Sequence, residues 1–128
     1  MNWIAVAAAG VSAFVLGGVW YGPLFGKKWA GYVGLSEEDQ KSASMSKVFG
    51  GALVLSLIAA AVFAAFLGPN PGVEFATAAG FAAGLGWVAA SFGINYLFAQ
   101  RPFGLWLIDG GYATLQFTLY GLLIGLLG

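Results

Sequence analysis

The sequence predicts an all-α integral membrane protein whose four transmembrane helices pack as a small bundle, and three observations predict it. Of 128 residues, 60% are hydrophobic and 8% charged, against about 25% charged in an average soluble protein. Mean hydropathy is +0.87. Four apolar runs reach or approach the roughly 20 residues that cross a hydrocarbon core, and Gly, Pro and charged residues collect between them. Five basic and five acidic side chains cannot supply the polar skin of a soluble domain.

The first expected span covers 3–21 and ends at Gly22-Pro23, where proline stops the helix and restricts its neighbour. The early apolar run lacks the basic n-region of a secretory signal and reads as a retained span. The second span, 48–67, runs into the breaker Gly68-Pro69-Asn70-Pro71-Gly72; the third covers 75–98 and the fourth 103–127. This leaves one four-span domain over 1–128, with a loop at 22–47 as its one sizeable extramembrane piece. In that loop Ser36-Glu37-Glu38-Asp39 fits a capping box, so a helix is expected to start there. It either continues into the second span or bends among Ser42, Ser44 and Ser46. Trp20, Tyr21, Trp29, Arg101 and Trp106 lie at expected membrane boundaries, as interfacial anchors do.

Lys27, Lys28, Lys41 and Lys47 lie in the first loop and Arg101 in the third. With four spans these loops share a side, and the positive-inside rule makes it cytoplasmic. Both termini are then extracytoplasmic. Cytoplasmic corners at Tyr21-Gly22-Pro23-Leu24-Phe25-Gly26 and Arg101-Pro102-Phe103-Gly104 echo one another, as in a parallel duplication of a helix pair.

With neither Cys nor His, thiol chemistry, disulfides, His- or Cys-ligated haem and the usual zinc sites are excluded, and neither a metal nor another cofactor is expected. Zero net charge without a basic run gives no footprint for nucleic acid. Glu74 and Asp109 fall at opposite membrane faces, so no carboxylate pair forms an acid/base site. Serines without a histidine lack a general base, and no enzyme activity is expected.

Small residues recur at i+4 along the spans: Ala5, Ala9, Ala13 and Gly17; Ala52, Ser56, Ala60 and Ala64; Gly80 and Gly84; Gly121 and Gly125. Such ridges let helix backbones approach where lipid supplies no hydrophobic drive. Each serves packing within the chain or contact with a second copy. Gly121 and Gly125 are the face expected to remain for a homo-oligomer.

The candidate functional residues form a polar seam between the third and fourth spans. Asp109, Tyr112, Gln116 and Tyr120 follow at steps of three, four and four, on one helical face. Opposite them Trp87, Ser91 and Asn95 lie one turn apart on the third span. Asn95 and Asp109 stand at similar depth on either side of the turn, within expected reach of each other and of Arg101, and the Trp87 indole is expected to donate to Gln116. An ionised aspartate in hydrocarbon costs at least about 2.5 kcal/mol, so such a residue pairs, protonates or serves a pathway.

The chain resembles the bacterial family catalogued as domain of unknown function 1761. The resemblance rests on Asn2-Trp3, on Trp20-Tyr21-Gly22-Pro23-Leu24-Phe25-Gly26-Lys27 with Trp29, on Gly34-Leu35-Ser36-Glu37-Glu38, and on Asn95 with Asp109-Gly110-Gly111-Tyr112. It implies a multi-pass inner-membrane protein and brings no activity, cofactor or catalytic residue. The expected role is a structural or accessory subunit of a membrane complex, with membrane lipids, a larger complex or its own copies as partners. The alternative is an oligomeric transporter or channel using the polar seam.

Overall fold

The computed structural model describes residues 1–128 and is all-helical. Four helices are long and apolar enough to cross a membrane: α1, Trp3–Leu24; α4, Met45–Leu67; α5, Val73–Phe98; and α6, Phe103–Leu127. Two short helices, α2 (Gly26–Val33) and α3 (Glu37–Ser42), lie between α1 and α4.

Pro23 does not end α1. The helix is α-helical over Trp3–Val19 and widens to a π-turn over Trp20–Leu24, with Pro23 inside it. Proline has no N–H and its ring crowds the carbonyl four residues back, and a wider turn relieves both. The Phe25 amide accordingly donates to the Trp20 carbonyl, five residues back, at 2.9 Å. Gly26 follows because a Cβ there would lie 2.5 Å from the Tyr21 carbonyl oxygen. A second π-segment, Gly84–Ala89, interrupts α5.

The capping box forms: the Asp39 amide donates to the Ser36 hydroxyl at 3.1 Å, and the Ser36 amide to the Asp39 carboxylate at 3.0 Å. The chain then breaks. Ala43 is extended and Ser44 caps α4 afresh, so α3 does not run into the second long helix. That helix begins three residues earlier than expected, at Met45, and α5 begins at Val73.

Helix α6 is the centre of the bundle, packed along α5 on one side and α1 on another. Helix α4 packs along α1 and meets α6 more lightly. The core is small and alanine-rich, with Ala5, Ala9, Ala13, Ala60 and Tyr120 essentially inaccessible. Alanine at these positions brings backbones close, and Tyr120 fills the space left where α1, α4 and α6 meet. The extensive α1–α6 contact has no counterpart between α4 and α5, which meet through the Phe66 and Trp87 rings, 5.7 Å apart. The two hairpins are therefore not packed as equivalent copies.

The glycine ridges of α5 and α6 face each other. A Cβ on Gly84 would lie 2.7 Å from the Ala113 carbonyl oxygen, and one on Gly80 would overlap that of Phe117. Likewise a Cβ on Gly121 would overlap the Ala76 carbonyl, and one on Gly125 would lie 2.6 Å from the Val73 Cα. The expected oligomer face at Gly121 and Gly125 is thus corrected: both are used inside the chain, because the α5–α6 hairpin needs them to close. Ala60 is buried against the core, whereas Ala52 is exposed.

Candidate functional site

Asp109 sits on the seventh residue of α6, about 9 Å along the helix at 1.5 Å per residue. It is 8% exposed. The Tyr21 hydroxyl donates to Oδ1 at 2.7 Å, and the Tyr96 hydroxyl donates to Oδ2. One carboxylate therefore ties the end of α1 and the end of α5 to α6. Its hydrogen-bond partners are phenols, not the expected Asn95 or Arg101. Asn95 is exposed, since Tyr96, the next residue and about 100° further around the helix, occupies the inward position.

The surrounding residues explain the Asp109-Gly110-Gly111-Tyr112 run one by one. Gly110 receives Ala89 and the Trp106 indole, and Gly111 receives the Trp20 ring, 3.1 Å from where its Cβ would be. The Tyr112 hydroxyl donates to the Ala13 carbonyl at 2.8 Å, beside Gly17, whose missing side chain leaves room for it. The Tyr21 ring packs edge-on against Tyr112 at 5.4 Å and Trp29 at 5.5 Å.

Two indoles complete the junction. Trp20 donates to the Ile108 carbonyl at 2.9 Å, and Trp106 donates to the Ala89 carbonyl at 2.8 Å, at the close of the second π-segment. The residues expected as interfacial anchors therefore include three that join helices: Trp20, Tyr21 and Trp106. Arg101 alone of the five is exposed, while Trp29 is half-buried under the α1 end. The signal for this role was the π-turn, since Pro23 inside a continuing helix turns Trp20 and Tyr21 onto α6.

A second cluster lies deeper. Gln116 Nε2 donates to the Tyr120 hydroxyl at 2.7 Å, one turn along the same helix. The Tyr120 hydroxyl lies 2.8 Å from Ser56 Oγ and 3.1 Å from the Ser56 carbonyl, and Ser56 Oγ donates to the Gly10 carbonyl at 2.8 Å. With one proton per hydroxyl, the chain of donation runs from Gln116 through Tyr120 and Ser56 to Gly10. The seam of α6 thus faces α1 and α4 as well as α5, correcting its expected placement between the third and fourth spans. Trp87 does not reach Gln116; it is 61% exposed and meets Phe66. Ser91 is exposed as well. The six-residue π-segment Gly84–Ala89, which contains Trp87 and precedes Ser91, shifts the helical phase that a uniform 3.6-residue count assumes.

Most polar groups in both clusters are matched, and no buried side-chain nitrogen or oxygen lacks a partner. Chemically the arrangement is a set of interhelical ties, each ending on a carboxylate or a backbone carbonyl.

No curated protein and no solved structure matches the chain. A family model does, over residues 4–125, and it spans both clusters and all four long helices. The chain belongs to the family described as protein of unknown function DUF1761.

Proposed function

We propose that this is a small multi-pass protein of the bacterial inner membrane, with both termini extracytoplasmic, acting as a structural or accessory subunit of a larger membrane complex. The observation that carries the reading is the closed account of its buried polar groups. Asp109 is held by two phenols, Tyr112 ends on Ala13, and the Gln116–Tyr120–Ser56 chain ends on Gly10. A route for protons or solutes needs groups that release and regain partners, whereas a backbone carbonyl is a terminus. The basic residues at one end of the bundle support the orientation through the positive-inside rule.

Gentle extraction followed by mass measurement of the intact particle tests the role. The expected result is this chain in fixed ratio with a larger membrane subunit, and a homogeneous particle of this chain alone would oppose it. A second reading, an oligomeric transporter, is favoured by one observation: an acidic side chain buried within a long apolar helix.

A further inference from the structure

The π-segment Gly84–Ala89 gives the inner half of α5 a different phase from its outer half. Gly80 and Gly84 face α6 across the Phe117 and Ala113 carbonyls. Carried on from Gly84 at 3.6 residues per turn, that face reaches Ser91 and Asn95. In the structure it reaches Ala89, Gly93 and Tyr96 instead. Ala89 is buried beside Gly110, Gly93 receives the Trp106 indole, and Tyr96 donates to Asp109. The difference is one residue, and the π-segment supplies it, since the Ala90 amide donates to the Leu85 carbonyl five residues back. Ser91 and Asn95 are left on the exposed side without a side-chain hydrogen bond, whereas Ser12 and Thr77 return theirs to carbonyls three and four residues back.

One side chain holds the present phase. Trp106 Nε1 donates to the Ala89 carbonyl at 2.8 Å, and its ring fills the notch at Gly93, whose Cβ would lie 3.0 Å from that nitrogen. Relaxing the π-segment to an α-helix would turn Ala90–Phe98 by about 100° and shift it by about 1.5 Å. Each residue would then take the place of the next: Val88 that of Ala89, Phe92 that of Gly93, and Asn95 that of Tyr96. Phe92 cannot enter the notch while the indole fills it. Gly110 has no side chain to obstruct Val88, and the Asn95 carboxamide is a donor for Asp109, as the phenol it would replace is. Tyr96 would pass to the place of Leu97, which is 80% exposed.

We propose that α5 is a two-register device. Trp106 latches the register that puts Tyr96 on Asp109, and its release lets Asn95 take the place of Tyr96 there. Tyr21 keeps its hold on the other carboxylate oxygen in both registers, so α5 alone changes its contact. The exchange alters the face that α5 presents to its surroundings and leaves the Asp109 junction closed. It does not depend on the chain's being a subunit, so a failed copurification leaves it standing.

The chain has no cysteine, so introduced thiol pairs report each register. The Ala89 Cβ lies 3.3 Å from where a Gly110 Cβ would be, close to the spacing in a disulfide. Ala89→Cys with Gly110→Cys therefore reports the present register, and Val88→Cys with Gly110→Cys the second. The full chain in lipid vesicles is oxidised, and the remaining thiols are counted by intact mass after maleimide labelling. The first pair is expected to close in the wild-type background. The initial rate of closure of the second is expected to rise about fivefold in Trp106→Phe, the scale of one hydrogen bond lost from the latch. Adding Asn95→Leu should cancel the rise. Deleting Gly86, whose Cβ position has nothing within 4 Å, removes the extra residue and should abolish closure of the second pair while the first still closes. No rise in Trp106→Phe, or a rise that Asn95→Leu leaves intact, would overturn the proposal. So would a second pair that closes as readily after the deletion, because general mobility and not a change of register would then bring the thiols together. Loss of first-pair closure in Trp106→Phe with no gain in the second would also overturn it, since Trp106 would then only hold the fold.

Discussion

The Tyr21 hydroxyl donates to Asp109 Oδ1 at 2.7 Å across 88 residues of chain, while Tyr96 holds the other oxygen. The π-turn around Pro23 brings Tyr21 there. Each phenol is a separate tie to one acceptor, so their removal is expected to be non-additive. Tyr21→Phe and Tyr96→Phe should each destabilise the bundle by about 0.6–2 kcal/mol, the range for hydrogen bonds between membrane helices. Unfolding in mixed micelles measures both, and the double variant should lose more than the sum, since Asp109 is then buried with neither phenol. Additive losses would mean that the two phenols do not share the carboxylate.

Gly121→Ala is expected to open the α5–α6 hairpin, because the new Cβ would overlap the Ala76 carbonyl. Overpacking of this kind costs about 1–3 kcal/mol or more. Gly18→Ala is the matched control: nothing lies within 4 Å of its Cβ position, and alanine favours the helix by up to about 1 kcal/mol. The same micelle unfolding assay should separate the two variants in opposite directions.

Tyr120→Phe should leave the ring in place and remove the hydroxyl that joins Gln116 to Ser56. Tyr120 is fully buried, so the Gln116 amide loses a partner with no water to replace it, at a cost of about 1–3 kcal/mol. Ser56→Ala in the same background should then cost less than in the wild type, because only the Ser56 contact to Gly10 is left to lose. A large additional loss would show that the Ser56 contact to Gly10 acts independently.

Outside the long helices, the Ser36 backbone amide, and then its hydroxyl, hold the Asp39 carboxyl below the usual aspartate range. A depressed folded-state value means that the capping contribution is present above the unfolded value and is lost as pH falls through the folded one. Helix α3 is therefore expected to fray below about pH 4, the ordinary aspartate range. The Ser36 amide proton shift should follow that titration by NMR. It should be flat in Asp39→Ala.

The long helices were legible in the sequence because length and apolarity are carried by every residue in them. Their boundaries shifted where local chemistry intervened: Pro23 widened α1 into a π-turn instead of ending it, and Ser44 restarted α4 early. The face of α6 bearing Asp109, Tyr112, Gln116 and Tyr120 followed from its regular period. The facing residues did not, because Gly84–Ala89 breaks the period of α5 and leaves Trp87, Ser91 and Asn95 outside the seam. Tyr21 and Trp20 looked like boundary aromatics by position. Their link to α6 depends on a helix geometry that spacing alone does not reveal.

The central claim is that Asp109 holds helices together and does not carry a proton or solute. The most direct test compares wild-type and Asp109→Asn chains in sealed vesicles under an imposed pH gradient, with internal pH read by a trapped dye. The account expects both to match protein-free vesicles, and the variant to be less stable in micelles. Flux that the wild type supports and Asp109→Asn abolishes would contradict it.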